Sequence, residues 1–314
     1  MNDHKILEYS VVVPFYNEQG NVTPLYSDLK KVFEEISGEY EIIFVNDGSI
    51  DNTLQEMKEL KPLKIINFRK NFGQTAALDA GFKEAKGKYI ITLDGDGQNP
   101  PSEIPILISK MEEGGLDVVC GWRYKRKDTT LKRVFSRGAY FLRGFLVKDH
   151  VHDAGCTLRL YKKECFDDFD LFGEMHRFIP AALYWRGFRV GEIKVSHKPR
   201  VHGLSKYNWT RALKGFIDMI SIWFWRKFSN RPLHLFGGAG IFFVLIGVLF
   251  FIVLGLLRLF LGYSLSDKIW PLVATLLIVV GVQLFVSGIM TDILIKGYYS
   301  NGKTSYNIKD IIVN

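Results

Sequence analysis

The chain has 314 residues, 47% of them hydrophobic, and a formal net charge of +8 at pH 7. The basic excess lies in residues 121–150 and 194–231, each with nine Lys or Arg residues. Trp, Phe and Leu are interleaved with these cations, which favours anionic lipid headgroups and argues against a nucleic-acid partner. The three cysteines lack metal-binding or redox spacing, which predicts a packing role in a reducing compartment.

The first 121 residues alternate short apolar runs with amphipathic stretches. Predicted strands cover residues 9–13, 41–45, 64–68, 89–93 and 117–120, and predicted helices cover residues 22–36, 53–60, 75–85 and 102–113. This rhythm predicts an α/β fold with a mostly parallel sheet and helices on both faces. Ligands bind such sheets beyond the C-terminal ends of the strands, so the residues there are the first candidates for a site.

Polar or acidic residues follow four of the predicted strands. They lie in the segments 14–18, 46–49, 69–73 and 94–98. Each ending alone is typical of ordinary turn and helix-cap chemistry. Because parallel strands deliver their C-terminal ends to one edge, the coincidence of all four favours a binding site there.

The most specific of these endings is Asp94-Gly95-Asp96-Gly97, which follows a buried apolar run. The two glycines let the backbone bend so that both carboxylates converge on one point. Hard cations such as Mg²⁺ and Mn²⁺ take carboxylate oxygens together with substrate phosphate oxygens. The motif therefore indicates a divalent metal on a nucleotide phosphate, with a solvated turn as the alternative.

Two uncharged apolar stretches, residues 235–257 and 269–291, are each 23 residues long. A helix needs roughly 20 such residues to cross a bilayer, and these stretches are apolar on every face, so they predict transmembrane helices. Lys and Arg residues concentrate outside the pair, which predicts an integral membrane protein with both termini and the preceding domain in the cytoplasm. Neither stretch has two glycines four residues apart, which leaves the oligomeric state open, and a homo-oligomer is compatible with the sequence.

Seven motifs occur in an order and spacing that resemble one enzyme group. They are residues 14–18, 45–49, 69–74, 94–100, 121–123, 153–159 and 200–206. The chain resembles the polyprenyl-phosphate glycosyltransferases of glycosyltransferase family 2, the group of dolichol-phosphate mannose synthase and bacterial undecaprenyl-phosphate sugar transferases. The resemblance implies a GT-A catalytic domain and a location in the bacterial inner membrane.

The resemblance also implies a reaction: inverting, metal-dependent transfer of a sugar from a nucleoside diphosphate sugar, with a UDP-hexose expected, to a polyprenyl phosphate. The implied cofactor is Mg²⁺ or Mn²⁺. The implied nucleotide-binding residues are Pro14, Tyr16, Glu18, Asp47, Arg69 and Asp94. The implied metal-binding residues are Asp94, Asp96 and Gln98.

The remaining site predictions concern catalysis and the acceptor. The catalytic candidates are Asp153, Asp96, Arg200 and Lys206, and the candidates for the acceptor phosphate are Arg123, Arg133, Ser136 and Arg137. A lipid phosphate is largely dianionic at neutral pH, so we expect Asp153 to align groups rather than to remove a proton, with a structural acid near Arg159 as the alternative. Many members carry a second acid where this chain has Cys156, a departure that bears on the choice of sugar.

The predicted organisation has four parts. They are a GT-A domain at 1–205 with an interfacial helix near 131–147, an amphipathic juxtamembrane helix at 206–232, two transmembrane helices at 233–298 and a cytoplasmic tail at 299–314. A processive polysaccharide synthase is one alternative, but residues 175–186 lack the Gln-x-x-Arg-Trp segment of such enzymes. A catalytically silent membrane scaffold is another, and it would not need both Asp94 and Asp96.

Overall fold

The computed structural model describes residues 7–124, residues 151–198 except 168 and 172, and residues 220, 223, 224, 227, 228, 231–262, 264–266 and 268–300. The chain divides into two units, Met1–Met219 and Ile220–Asn314. The predicted interfacial helix near 131–147 lies outside the described residues, as does most of the predicted juxtamembrane helix. Of the predicted tail at 299–314, only residues 299 and 300 are described, and they are helical.

All nine predicted elements are present, with ends within three residues of those predicted. The strands are β1 (Leu7–Phe15), β2 (Glu39–Asn46), β3 (Lys64–Asn67), β4 (Tyr89–Thr92) and β5 (Val118–Arg123). The helices are α1 (Val22–Glu35), α2 (Thr53–Lys58), α3 (Gln74–Glu84) and α4 (Ile104–Gly114).

Three further elements follow the predicted βαβ series and complete this unit as it is described. They are β6 (Arg159–Lys162), α5 (Ile179–Trp185) and β7 (Val190–Val195). Short 3₁₀ turns cover Pro101–Glu103, Lys163–Phe166 and Met175–Arg177.

The seven strands form one mixed sheet in the order β3-β2-β1-β4-β6-β5-β7. Neighbouring strands are parallel except at β6, which runs antiparallel to both β4 and β5. The prediction of a mostly parallel GT-A sheet is therefore confirmed. The C-terminal ends of β1, β2, β3 and β4 lie along one edge, as the polar strand endings require.

Each face of the sheet carries its own apolar core, because successive side chains of a strand point to opposite faces. On one face Val11 and Val13 pack with Leu29 of α1 and Leu107 of α4. On the other face Val12, Ile43 and Ile90 pack with Phe82 of α3 and Leu183 of α5. Complete burial of such side chains, at about 1.5–3 kcal/mol each, fixes the strand register that places the polar endings.

One buried carboxylate joins β5, β6 and β7. Asp117 Oδ1 accepts a 2.8 Å bond from Lys162 Nζ, and its Oδ2 accepts a 2.8 Å bond from the Arg189 backbone N–H. Burial by itself raises the pKa of Asp117, but the hydrogen bonds from Lys162 and Arg189 outweigh it and lower the pKa to about 2.

We expect Asp117→Asn to lower the free energy of unfolding by about 2 kcal/mol at neutral pH, since a pKa lowered from 3.8 to about 2 represents that much stabilisation. The stabilisation by ionised Asp117 is present above pH 4 and is lost as pH falls from 4 through 2. The difference in unfolding free energy between wild type and Asp117→Asn should therefore shrink between pH 4 and pH 2. Thermal unfolding at several pH values, with the exposed Asp28→Asn as control, measures it. Equal stabilities at pH 7 would contradict the assignment.

The second unit contains α6 (Pro232–Leu261) and α7 (Trp270–Ser300). These helices include the predicted span 235–257 and all but the first residue of the predicted span 269–291. By length and composition each is apolar enough to cross a membrane, and only 17% of the most apolar window is buried in either helix. A core helix of a soluble protein would be mostly buried. These helices therefore suggest a membrane protein.

Glycines set how closely α6 and α7 approach. A Cβ on Gly240 would lie 2.6 Å from the carbonyl oxygen of Gly281, and one on Gly247 would lie 2.9 Å from that of Ala274. The glycines on α6 are seven residues apart, not four, and they serve contact within the chain.

Candidate active site

The C-terminal edge of the sheet opens into a cleft of about 500 Å³. Its lining residues are Pro14, Phe15, Tyr16, Glu18, Asp47, Asn71, Gly73, Gln74, Asp94, Gly95, Asp96, Glu174, His176 and Arg177. The endings of β1, β2, β3 and β4 thus meet in one place, as the sequence predicts. Six predicted site residues are in this lining: Pro14, Tyr16, Glu18, Asp47, Asp94 and Asp96.

Asp47, at the end of β2, fixes the loop that follows β3. Its carboxylate accepts bonds from the backbone N–H groups of Phe72 at 2.7 Å and Gly73 at 3.0 Å, and from Asn71 Nδ2 at 2.9 Å. Burial raises the pKa of Asp47, and these backbone hydrogen bonds act in the opposite direction. The Asp47 carboxylate therefore holds the loop after β3 in place as one wall of the cleft.

The neighbouring Gly48 allows the same loop to come close. Gly48 has φ +66°, and a Cβ there would lie 2.2 Å from the backbone carbonyl carbon of Lys70. Any larger residue would push the loop away from Asp47.

The turn after β1 is tied to the start of α2. Asn17 accepts a 2.9 Å bond from the Ile50 N–H, and its own N–H donates to Ser49 Oγ at 3.0 Å. The Glu18 N–H donates to Thr53 Oγ1 at 2.9 Å. These bonds fix the wall that presents Pro14, Tyr16 and Glu18.

Asp94 and Asp96 lie together at the end of β4. Asp96 Oδ1 accepts a 3.1 Å bond from the Gln98 N–H, and Asp94 Oδ1 accepts a 2.8 Å bond from Gln74 Nε2. Burial, followed by the charge of Asp96, raises the pKa of Asp94 to about 6. Two carboxylates that repel one another in a partly desolvated cleft are stabilised by a shared cation.

This donor set fits a hard divalent metal. Within the part of the chain that the structure describes, no three His, Cys, Asp or Glu side chains come together as a complete site. Mg²⁺ commonly takes one or two protein carboxylates and completes its shell with water and substrate phosphate oxygens. Asp94 and Asp96 supply such a pair. The Gln98 side chain is not part of the cleft lining in the described residues, so its role as a ligand stays a prediction.

Gln74, which the site predictions did not include, orients Asp94. We expect Gln74→Leu to weaken Mn²⁺ binding by on the order of tenfold, because a carboxylate hydrogen bond of about 1.5 kcal/mol would be lost. Titration of Mn²⁺ by electron paramagnetic resonance measures this without turnover. Gln55→Leu, on the exposed surface of α2, is the control. Wild-type Mn²⁺ affinity in Gln74→Leu would contradict the orienting role.

Asp153 and Arg123 form a paired group separate from the cleft lining. Arg123 Nε donates to Asp153 Oδ2 at 2.7 Å and Arg123 Nη2 donates to Oδ1 at 2.9 Å, so the contact is bidentate. Burial alone lowers the pKa of Arg123, but the hydrogen bond and charge of Asp153 outweigh it and raise the pKa. The partner of Asp153 is thus Arg123, and Arg159 binds elsewhere.

Cys156 does not reach the cleft. Its side chain is fully buried in the core with Leu158 and Leu160, and burial raises the pKa of its thiol to about 11. Cys120 and Cys165 are buried as well. These positions agree with the packing role expected for the cysteines. They do not agree with a direct contact between Cys156 and a sugar in the cleft.

The segment 174–177 contributes three cleft residues that the sequence analysis left unassigned: Glu174, His176 and Arg177. His176 Nδ1 lies 2.9 Å from Thr75 Oγ1, which ties the segment to α3. A contact spanning about 100 residues leaves no local pattern. The only sequence signal was a His-Arg pair two residues after an acidic residue.

Arg69 is exposed and is not among the residues that line the cleft. Its nucleotide-binding role remains a prediction without support from this geometry. Five other predicted residues lie outside the described part of the chain: Arg133, Ser136, Arg137, Arg200 and Lys206.

Comparison with known proteins agrees with this architecture. The family model of Glycosyl transferase family 2 matches residues 10–169. The chain is 36% identical to a dodecaprenyl-phosphate galacturonate synthase from Rhizobium johnstonii, over 97% of this chain and 93% of that protein. It is 33% identical to an undecaprenyl-phosphate 4-deoxy-4-formamido-L-arabinose transferase from Aeromonas hydrophila, over 95% and 91% of the two chains.

Among solved structures, the fold is similar to glucosyl-3-phosphoglycerate synthase from Mycobacterium tuberculosis in complex with Mn²⁺ and UDP-glucose. The TM-score is 0.53 at 16% identity, over 70% of this chain and 79% of that chain. At this identity the likeness concerns the fold. Taken with the family match and the relatives, the sheet and its cleft identify the chain as a glycosyltransferase that belongs to glycosyltransferase family 2.

Proposed function

We propose that this enzyme transfers a sugar from a nucleoside diphosphate sugar, most simply a UDP-hexose, to a polyprenyl phosphate, with inversion at the anomeric carbon. The observation that carries the proposal is the pair Asp94 and Asp96 in a cleft whose other wall is the Pro14–Glu18 turn. The names of the two relatives, both polyprenyl-phosphate sugar transferases, support the lipid acceptor. The complex of the solved neighbour with Mn²⁺ and UDP-glucose supports a uridine nucleotide and a divalent cation.

Asp94 and Asp96 would hold Mg²⁺ or Mn²⁺, which when bound neutralises the leaving diphosphate. Asp47 keeps the loop after β3 in place, and the nucleoside would lie between that loop and the turn after β1. Arg200 and Lys206 would add positive charge at the diphosphate, because Arg can grip phosphate in a bidentate fork and Lys acts as a point charge.

The acceptor needs little help to become nucleophilic. A lipid phosphate has a second pKa of about 6 and is largely dianionic at pH 7. Arg123 already engages both oxygens of Asp153, which disfavours Asp153 as a proton acceptor. Arg123 Nη1, which has no hydrogen bond to the described residues, would bind the acceptor phosphate together with Arg133, Ser136 and Arg137.

We expect Asp153→Asn to reduce transfer while leaving the shape of its pH dependence unchanged, because Asp153 aligns Arg123 and accepts no proton. Single-turnover rates from pH 5 to 9 measure this. Disappearance of an ionisation that limits wild type would show instead that Asp153 is the general base.

The reaction would take place at the cytoplasmic face of the bacterial inner membrane. Lys and Arg flank the outer ends of the helix pair α6 and α7, which by the positive-inside rule favours a cytoplasmic position for both termini. Polyprenyl phosphate would reach the enzyme from the bilayer.

A donor screen tests the proposal. Purified protein in detergent with Mn²⁺ and undecaprenyl phosphate is incubated with UDP- and GDP-sugars, and the lipid products are identified by mass spectrometry. We expect one donor class to yield undecaprenyl phosphate carrying one sugar. Absence of any such product across the panel, with folded protein and Mn²⁺ present, would contradict the proposed function.

A further inference from the structure

The charge of the cleft lining is strongly one-sided. Within the described residues, five carboxylate side chains line it: Glu18, Asp47, Asp94, Asp96 and Glu174. Arg177 is the one Lys or Arg in the same lining, and it is half-buried. The carboxylates at Asp47 and Asp94 already have protein donors. Within the described residues, Arg177 is therefore the one Lys or Arg side chain of this lining that could meet an anionic ligand.

Arg177 has no hydrogen bond or ion pair with the described residues, unlike Arg123 and Arg159. A half-buried guanidinium with no acceptor loses part of its hydration without compensation. The five N–H donors of its planar guanidinium suit an oxyanion such as a phosphate or a carboxylate. The cleft therefore offers one unused anion-binding group.

The backbone that carries Arg177 is held rigidly. Arg159 is 2% exposed, and its Nη1 donates a 2.8 Å bond to the carbonyl oxygen of His176. The His176 ring is buried against Thr75 Oγ1 at 2.9 Å. Two buried contacts thus fix the residue immediately before Arg177. Such support is expected where a side chain must meet a ligand at a set position.

We propose that Arg177 binds an oxyanion of the donor substrate, either the diphosphate or a carboxylate on the sugar. The proposal rests on the proposed function, because it takes the donor to lie in this cleft. A metal on Asp94 and Asp96 would bring the diphosphate into the same cavity that Arg177 lines. A uronic acid would present its carboxylate from the sugar end. Both sources share the chemistry that a guanidinium recognises.

Binding measurements separate the two sources. Isothermal titration of detergent-solubilised full-length protein with Mn²⁺ would use three probes: UDP, UDP-glucose and UDP-glucuronate. The variants are Arg177→Met, which removes the charge, and Arg177→Lys, which keeps the charge without the fork. Lys163→Met is the matched control, because Lys163 is exposed and its backbone N–H bonds to Lys88 at the opposite edge of the sheet. Thermal unfolding checks that each variant is folded.

We expect Arg177→Met to weaken binding by about 10- to 100-fold, the range for a hydrogen bond to a charged group, with a smaller loss in Arg177→Lys. An equal loss for all three probes assigns the diphosphate, and a loss confined to UDP-glucuronate assigns the sugar carboxylate.

Three results would overturn the proposal. Wild-type affinities in both Arg177 variants would remove Arg177 from the donor site while leaving the proposed function intact. Arg177 would be assigned to sugar hydroxyls if its variants bound UDP-glucose and UDP-glucuronate more weakly by the same factor and bound UDP with wild-type affinity. A wild-type protein that binds none of the probes with Mn²⁺ would count against both the proposed function and the role of Arg177.

Discussion

Asp96→Ala is expected to abolish sugar transfer while the protein remains folded and inserted in the membrane. Asp96 is 8% exposed, lines the cleft and lies next to Asp94 in the strand ending that fits a divalent metal. A metal on the leaving group contributes several kcal/mol to the transition state, so the loss should be at least about 1,000-fold. Initial rates of nucleoside diphosphate release at saturating donor and lipid phosphate measure it.

The matched control for this change is Asp28→Ala, which removes an exposed carboxylate from α1. It should leave transfer at the wild-type rate. Wild-type turnover of Asp96→Ala at saturating Mn²⁺ would contradict the metal assignment. Full activity of wild type after chelation would contradict it in the same way.

Arg159→Met is expected to lower the free energy of unfolding by on the order of 3 kcal/mol, because several buried carbonyl groups would lose their donors. Arg159 donates to the carbonyl oxygens of Ala154 at 2.6 Å, Cys156 at 2.8 Å and His176 at 2.8 Å. No carboxylate is bonded to it within the described residues. The guanidinium therefore acts as a hydrogen-bonding hub in the core.

The same change should also impair function, since Arg159 joins the turn after Asp153 to the turn before Arg177. Thermal and denaturant unfolding, paired with donor binding, test both effects. Arg69→Met removes an exposed guanidinium and serves as the stability control. An unfolding free energy within 1 kcal/mol of wild type in Arg159→Met would refute the hub role.

Much of the C-terminal edge of the sheet was predictable, because the residues that form it follow local sequence patterns. The runs before Glu18, Asp47 and Asp94 are apolar, and Gly and Asn follow them, so strand ends and polar endings both appear in the sequence. Parallel pairing of β1 with β2 and β4 then brings those endings together. Their convergence follows from the topology of the fold.

The elements that escaped prediction depend on contacts between distant residues. The strand β6 begins with Arg159 and ends with Lys162, so it has no apolar run, and its ladder to β4 and β5 alone defines it. The pair of Arg123 and Asp153 spans 30 residues. The segment 174–177 reaches the cleft through Thr75, about 100 residues earlier. The spacing of residues along the chain does not predict contacts between residues so far apart in sequence.

The helix ends of the second unit show a further limit. The uncharged stretch stops at 291, before Asp292, whereas α7 continues to Ser300. Charge marks where apolar composition ends, but a helix continues while its backbone hydrogen bonds persist. Hydropathy thus predicted the presence of both helices and underestimated their lengths.

The most direct test of the account compares undecaprenyl phosphate with undecaprenol as acceptor. Each acceptor is incubated with the purified enzyme, Mn²⁺ and the donor identified by the screen, and the lipid products are identified by mass spectrometry. The account predicts a singly glycosylated lipid phosphate that disappears on chelation, and no product from the alcohol. Equal transfer to undecaprenol, or a sugar polymer in place of a single sugar, would contradict it.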